Sequence, residues 1–371
     1  MPISKHPSAL SVVLCVCFLT GAVVNRALAD TALEREELAP GVFLFRAPSS
    51  LEFWTATNSV VIVSDADVTV FDSNTRAKTA RAVIAEIRAI TSKPVRTLIN
   101  SHWHMDHWGG NDEYAKAFPG IRIIATAETR NYMARMTSRF FAEEVGVDRA
   151  RAALAAAVKT WKESDGSPLS REARRRKESE IEEAARFAAE IEAMPRVLPN
   201  LVYDDTLTFW SGTREFRLLS VTGDATGSTV LYLPGDKALV MGDVLVSPEN
   251  GNGPPPWTTN SYAITPWLHS LRSCERLDAN LIVPGQGPAL RDKAYLKLTG
   301  DLFESVIAQV HGALMGGRVT LSEVKAVVDV DAIGRQFTPD SARPSPEFES
   351  LVSALVKKVH QESLDGAASA R

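Results

Sequence analysis

The fold of this 371-residue chain is indicated by one stretch, Asn100 to Asn111, which reads Asn-Ser-His-Trp-His-Met-Asp-His-Trp-Gly-Gly-Asn. It places three of the seven histidines and one aspartate within six consecutive positions. A run rich in β-branched residues, 95–99, precedes it and is typical of a strand. Imidazole and carboxylate groups at this spacing favour a metal-binding loop over a solvated polar loop whose histidines share no role.

The spacing divides the four groups into two pairs. Residues two apart in an extended segment project to the same side, so His102 and His104 can bind one ion together. Asp106 and His107 come where the chain is expected to turn into a helix, and they could face a second ion. The stretch therefore predicts a site for one or two metal ions.

At the His-x-His-x-Asp-His motif the sequence resembles the metallo-β-lactamase fold superfamily, whose signature this motif is. Further elements resemble that family in the same order along the chain: Asp72 after a strand, Gly223 to Ser228, Gly242-Asp243, and Pro284 to Gly287. The resemblance covers about residues 40 to 300. It implies an α/β fold of the αββα type, a four-layer sandwich in which helices cover two packed sheets.

Two positions depart from the family pattern. In the family, the third ligand of the first metal is the histidine of a Gly-His-Thr-x-Gly loop, and that position is Asp224 here. The histidine of Pro-Gly-His-Gly, which binds the second metal in the family, is Gln286 here. Both replacements carry an oxygen lone pair. By resemblance, the ligands of site one are His102, His104 and Asp224. Those of site two are Asp106, His107 and Gln286, and Asp243 bridges the two sites.

The resemblance also implies a hydrolase that contains one or two zinc ions, with iron or manganese as alternative metals. Metal-bound hydroxide would attack an amide, lactam, ester or lactone carbonyl of a small-molecule substrate, and Asp106 and Asp243 would act as the catalytic carboxylates. Two alternatives stay open. One is a noncatalytic metal- or ligand-binding periplasmic protein with a degenerate site, and the other is a mononuclear iron enzyme of the same fold.

Residues 1–29 are predicted to form a cleavable signal peptide. Lys5 lies in a short basic start, an apolar run follows at 9–24, and Ala27-Leu28-Ala29 matches an A-x-A cleavage site. A membrane anchor is the rival interpretation, but this run is shorter than the roughly 20 apolar residues of a spanning helix. The pattern favours a periplasmic or secreted protein without a membrane anchor in its mature form. We expect the mature chain, 30–371, to form a single domain.

The composition is that of an ordinary globular protein, with 45% hydrophobic and 23% charged residues. The formal net charge of −4, without long Lys/Arg stripes, gives no basis for binding nucleic acid. Signal cleavage would leave Cys274 as the single cysteine, which excludes an intramolecular disulfide. We expect this thiol to be buried. The composition does not indicate an oligomeric state.

Runs of β-branched and apolar residues predict two strand-rich halves, 42–125 and 206–283, each combined with helices. Between them, about 128–199 is rich in Ala, Arg and Glu and predicts an insertion of two helices joined by a turn. A basic nucleic-acid arm at 171–177 is the alternative interpretation, but interleaved glutamates favour a solvated helix face. A C-terminal helical extension is expected over about 315–371.

Substrate selectivity is expected to lie in loops around the mouth of the site. The candidate segments and aromatic residues are 51–57 with Phe53 and Trp54, Trp103 and Trp108, and 251–262 with Trp257. Each aromatic residue could instead belong to the core. Trp103 alternates with the two histidine ligands and should therefore point away from the metals.

Overall fold

The computed structural model describes residues 33–47, 57–135, 168, 170–248, 253–256, 263–339 and 344–369. Three predicted features lie outside these ranges: the signal peptide, most of the two selectivity loops, and the first helix of the insertion. They stay predictions.

The first sheet has seven strands within the described residues, in the order in which they follow along the chain. They are β1 Glu34–Ala39, β2 Val42–Arg46, β3 Asn58–Val63, β4 Val68–Phe71, β5 Val95–Ile99, β6 Arg122–Thr126 and β7 Leu201–Tyr203. Neighbours from β1 to β4 are antiparallel, whereas those from β4 to β7 are parallel. Parallel strands end at the same edge of a sheet, so the segments after β4 and β5 are neighbours.

The second sheet has five strands in the described part of the chain. They are β8 Thr206–Ser211, β9 Arg214–Val221, β10 Ser228–Leu233, β11 Ala238–Val240 and β12 Leu281–Val283. Their order is β12-β11-β10-β9-β8, and every pair is antiparallel except β11 and β12. All six residues of the central strand β10 are buried, because packed layers cover both of its faces.

Helices flank the two sheets. The described helices are α1 Ala77–Ile90, α2 Met105–Trp108, α3 Asn111–Ala117, α4 Ala127–Arg135, α5 Arg171–Ala193, α6 Ile264–Glu275, α7 Ala294–Met315, α8 Leu321–Lys325, α9 Asp331–Phe337 and α10 Pro346–Ser369. Among these described helices, none has both the length and the apolar composition needed to cross a bilayer.

The two faces of each sheet bury different apolar clusters. In β3, Val60 and Ile62 face the second sheet, whereas Val61 lies in the cluster that includes α1 and α3. This alternation follows from the two-residue period of a strand. On the other side, α6, α7 and α10 cover β10 and β11 through residues such as Trp267 and Phe303. The layers are therefore helix, sheet, sheet, helix, and the predicted αββα sandwich is confirmed.

The sequence does not predict two of the observed strands. β1 reads Glu-Arg-Glu-Glu-Leu-Ala, and its first four residues are exposed. It lies at the edge of the first sheet and pairs only with β2 among the described strands, so backbone hydrogen bonds and the buried Leu38 near its end hold it. The other strand, β7, has three residues, too few for a periodic pattern.

Helix α5, in the second half of the predicted insertion, packs against the loop that carries the histidines. Its buried Phe187 and Ile191 share an apolar cluster with Trp103 and Trp108 of that loop. On the same helix, Glu183 and Glu190 are both ion-paired with Arg76, each at 2.7 Å. Whether the whole of 128–199 forms an insertion stays a prediction, since part of it lies outside the described residues.

Candidate metal centre

The centre lies at the carboxyl ends of the parallel strands β4 and β5. Asp72 follows β4 directly, and Ser101 to His104 follow β5 before the short helix α2 begins at Met105. Asp106 and His107 are therefore at the start of a helix, where the sequence places them. Residues 102–104 form bends rather than the extended segment that the sequence predicts, and these bends and the helical turn after them bring the ligand atoms of the motif together at this edge of the sheet.

Two glycines after the motif hold its loop close to the loop after β4. A Cβ atom at Gly109 would overlap the carbonyl oxygen of Thr75, and one at Gly110 would overlap that of Ser73. The backbone N–H of Ser73 donates to the carbonyl oxygen of His107 at 2.9 Å. This close approach requires residues without side chains, and it fixes the position of His107.

The site contains two sets of potential ligand atoms that share one residue. His102, His104 and Asp243 form one set, and Asp106, His107 and Asp243 form the other. In each set the ligand atoms lie within 4.8 Å of one another. Asp243 comes from the 3-10 turn after β11, in the second strand-rich half of the sequence. The fold thus brings a residue more than 130 positions away to the motif.

The spacing of these atoms fits a bound metal. His107 Nε2 lies 3.1 Å from Asp106 Oδ2 and 3.4 Å from Asp243 Oδ2. Ligands about 2.0–2.1 Å from a tetrahedral zinc are about 3.3–3.4 Å apart, so distance alone would admit an ion in this second set, and the hydrogen-bond donors beside its carboxylates decide whether one binds.

The state of the buried polar atoms gives an independent test. His102 Nε2, His107 Nε2 and Asp243 Oδ1 are buried and have no hydrogen-bond partner. Such atoms are rare in folded proteins unless an ion or water is bound to them. Burial, together with the neighbouring His107 and His104, lowers the pKa of His102 well below its usual range, so its imidazole is neutral and has a free lone pair. The residues present therefore fit a metal ion.

Asp72 and Ser101 contact the Nδ1 atoms of His107 and His102. His107 Nδ1 lies 2.7 Å from Asp72 Oδ2, and the backbone N–H of Ser101 donates to Asp72 Oδ1 at 2.7 Å. Ser101 Oγ lies 2.9 Å from His102 Nδ1. A metal-binding histidine is commonly oriented in this way through its other ring nitrogen. The sequence reveals Asp72 by its family position but gives no signal for the role of Ser101.

The charges around His107 are unusual for a buried group. Burial opposes its protonation, but the carboxylates of Asp106, Asp243 and Asp72 raise its pKa well above the usual value. Burial likewise opposes ionisation of Asp106, yet His107 and the neighbouring histidines hold the pKa of this carboxyl far below its usual range. Without a metal, a proton on His107 therefore compensates part of the negative charge at this position.

Asp224 lies beside the first set without belonging to either set. Its Oδ2 atom is 3.4 Å from His104 Nδ1, again a separation suited to two ligands of one ion. Burial raises the pKa of the Asp224 carboxyl to about 6. The position is compatible with the predicted ligand role, which stays a prediction.

Gln286 reaches the second set through its amide nitrogen. Nε2 donates to Asp243 Oδ2 at 3.2 Å and to Asp106 Oδ2 at 3.4 Å. Thr57, which the sequence does not single out as a site residue, donates from Oγ1 to the same oxygen of Asp106 at 2.8 Å. Nothing in the sequence near Thr57 indicates this contact, because 49 positions separate it from Asp106.

The aromatic neighbours of the ligands belong to the core. Trp103 and Trp108 are buried, and the Trp108 indole N–H donates to the carbonyl oxygen of Trp103 at 2.8 Å. The Trp103 ring stacks on Tyr132, at 5.3 Å between centroids. The remaining histidines of the described chain, His269, His311 and His360, lie in α6, α7 and α10. Cys274 is buried as predicted, and burial raises the pKa of its thiol to about 12.

Comparison of the sequence with known families gives one broad match. Residues 53–286, more than half of the chain, match the profile of the Metallo-beta-lactamase superfamily. A linear primary-alkylsulfatase from Pseudomonas sp. (strain ATCC 19151) is 26% identical over 250 residues. The aligned region covers 65% of this chain but 43% of that protein, so the chain spans less than half the length of this relative.

Solved structures with a similar fold cover most of the chain. TMB-1 has a TM-score of 0.50 at 19% identity, over 74% of this chain and 97% of its own. VMB-1 has a TM-score of 0.51 at 17% identity, over 75% of this chain and 99% of its own. A metallo-beta-lactamase from Pontibacter korlensis has a TM-score of 0.50 at 15% identity, over 73% of this chain and 99% of its own. At these identities the likeness shows the fold alone.

Proposed function

The chain belongs to the metallo-beta-lactamase superfamily, and we propose that it is a hydrolase that cleaves an ester, lactone, amide or lactam bond of a small molecule at a zinc-containing centre. The observation that carries this proposal is the meeting of two ligand sets at Asp243, with His102 Nε2 and Asp243 Oδ1 buried and unsatisfied. When bound, the metal would polarise the substrate and make hydroxide available near neutral pH.

The protein side chains divide the remaining work. His102 and His104 would hold the metal through ring nitrogens, and Ser101 orients His102 through its Oγ, 2.9 Å from Nδ1. Asp243 lies between the two sets, so its carboxylate is placed to orient the attacking water and to accept its proton. Asp106, fixed by the Thr57 hydroxyl, orients the same water from the other side.

A second candidate reaction is hydrolysis of a sulfate ester. The observation that favours it is the sequence relative, which is a linear primary-alkylsulfatase. The same centre would serve both reactions, since each needs a polarised oxygen and an activated water. The metal ligands therefore do not distinguish hydrolysis at a carbonyl group from hydrolysis of a sulfate ester. Tests with substrates of both kinds do.

We expect hydrolysis by the purified protein to depend on bound metal. The test measures turnover on a panel of lactam, lactone, carboxylic ester, amide and alkyl sulfate substrates, before and after removal of metal with a chelator. Activity should fall to the background rate in the metal-free protein and return when zinc is added, because without the ion no protein group can replace its effect on water.

The metal content of protein purified without added metal is the control. Zinc together with turnover on a carbonyl substrate supports the leading proposal, whereas turnover on alkyl sulfates alone supports the second. Iron in place of zinc would favour the mononuclear iron enzyme. Bound metal without turnover on any class would favour the noncatalytic binding protein and contradict the proposal.

We also propose that the protein is exported to the periplasm or secreted and that the mature chain begins at or near Asp30. The support is the basic start, apolar run and Ala27-Leu28-Ala29 motif of the sequence. Expression of the full chain in a bacterium, followed by intact-mass measurement of the periplasmic fraction, should find the chain without residues 1–29. An intact N-terminus on the protein in that fraction would contradict cleavage.

A further inference from the structure

We propose that Gln286 and Thr57 occupy the second metal position with their own hydrogen-bond donors, so that the protein holds one catalytic metal ion rather than two. The ion belongs to the set formed by His102, His104 and Asp243, with Asp224 beside His104. This inference rests on the proposed function, since it concerns the metal content of the same centre.

The first argument is the direction of the Gln286 amide. Its Nε2 atom lies between the carboxylates of Asp243 and Asp106, at 3.2 and 3.4 Å from their Oδ2 atoms. Ionised carboxylates only accept hydrogen bonds, and an amide NH₂ has two hydrogens to donate. The opposite orientation would place the amide oxygen against two negatively charged oxygens. The chemistry of the pair therefore favours the donating orientation that the structure shows.

The second argument concerns the oxygen atoms that an ion would need. Asp106 Oδ2 accepts hydrogen bonds from both the Thr57 hydroxyl and the Gln286 amide. Asp243 Oδ2, the other carboxylate oxygen beside His107, accepts from Gln286. A second ion would displace these donors from lone pairs that they already satisfy. His102 Nε2 in the first set and His107 Nε2 in the second both lack a hydrogen-bond partner, so the two sets differ in their carboxylate oxygens, which in the second set already accept from Thr57 and Gln286.

The third argument is the rigidity of the donor positions. The backbones of Thr57 and Gln286 face each other in an antiparallel bridge. The buried Asn58 side chain donates to the carbonyl oxygens of Pro284 and Gly287, both at 2.8 Å, and its backbone N–H donates to that of Gly285 at 2.8 Å. A donor pair held by this network is preorganised, so its hydrogen bonds cost little further ordering.

The environment of Asp243 adds to this rigidity. A Cβ atom at Gly285 would overlap Asp243 Oδ1, so the loop of Gln286 passes directly against the shared carboxylate. The backbone N–H of Ser247 also donates to the Gln286 carbonyl oxygen at 3.1 Å. The loop therefore cannot move away from Asp243 without breaking several contacts. To present its oxygen to an ion, Gln286 would have to rotate its amide and lose both hydrogen bonds.

The test is the metal stoichiometry of Gln286→His compared with that of the natural protein. After dialysis against buffered zinc and removal of free metal, metal content is measured by mass spectrometry, with no assay of activity. The natural protein is expected to retain about one zinc per chain, and Q286H about two, because an imidazole supplies a strong nitrogen ligand where the amide supplied a donor. Gln286→Ala should bind a second zinc more readily than the natural protein but more weakly than Q286H, because it frees Asp243 Oδ2 and one contact of Asp106 Oδ2 without adding a ligand.

Gln336→His is the matched control, because Gln336 is exposed on α9 and a histidine there reports adventitious binding by the new side chain. Circular dichroism shows whether each variant is folded. Two zinc ions in the natural protein would overturn the inference while leaving the proposed hydrolase intact. One ion in both the natural protein and Q286H would show that Gln286 does not exclude the second ion. No metal in either protein would instead contradict the proposed function.

Discussion

Replacing His102 with alanine is expected to lower turnover by more than about 100-fold, because even the loss of an outer partner of a metal ligand costs 10–100-fold. His102 belongs to the ligand set that includes His104 and Asp243, and its Nε2 atom is buried without a protein partner. The side chain therefore has no other contact for this nitrogen that would explain its position. We expect zinc content to fall together with turnover.

The control for this variant is His269→Ala, which removes an exposed imidazole of α6 and should leave turnover and metal content unchanged. Thermal unfolding followed by circular dichroism separates loss of metal from loss of fold. If H102A lost its helical and strand signal in parallel with its activity, the histidine would have a structural role instead. Full turnover in a folded H102A protein would remove His102 from the metal centre.

The second large effect is expected for Asp72→Asn, a change of one atom that does not touch the metal. Asp72 accepts hydrogen bonds at both carboxylate oxygens, from Ser101 N–H and from His107 Nδ1. An asparagine has one oxygen, so its NH₂ group must face one of these two donors. Either the loop loses its contact with Ser101, or His107 must move its proton to Nε2, the nitrogen that lies between Asp106 and Asp243.

We expect this variant to bind zinc about 10–100-fold more weakly, the usual cost of losing an outer partner of a metal ligand, because Asp72 holds Ser101, whose Oγ lies 2.9 Å from Nδ1 of the ligand His102. Competition with a chromophoric chelator measures the affinity. Asparagine is the appropriate replacement because Asp72 has a φ of +64°, a conformation that asparagine tolerates better than other side chains. A loss of affinity can therefore be assigned to hydrogen bonding rather than to backbone strain.

Asp65→Asn serves as the matched control, since Asp65 accepts a hydrogen bond from Thr213 at an exposed position distant in sequence from the motif. It should bind zinc like the natural protein. The same affinity in D72N and D65N would show that Asp72 does not support the ligands of the ion. In that case the buried contacts of Asp72 with Ser101 and His107 would serve folding alone, and D72N would differ from D65N in thermal stability only.

Local sequence patterns predict much of the fold because the responsible forces act over short distances along the chain. In β3 and β4 the runs of β-branched and apolar residues and the turn between them are contained in residues 58–71. The switch to helical spacing in α1 is equally local. Strand β1 lacks such a pattern, since its charged residues are held by pairing with β2.

The sequence alone predicts a metal centre after β5, because His102, His104, Asp106 and His107 are neighbours along the chain. Only the tertiary structure brings Asp243 into both ligand sets and turns the Gln286 amide nitrogen toward two carboxylates. These contacts join the two halves of the sandwich, and their geometry depends on the packing of whole sheets. The side-chain formula of Gln286 allows an oxygen ligand or a nitrogen donor, and the charges of the neighbouring carboxylates decide between them.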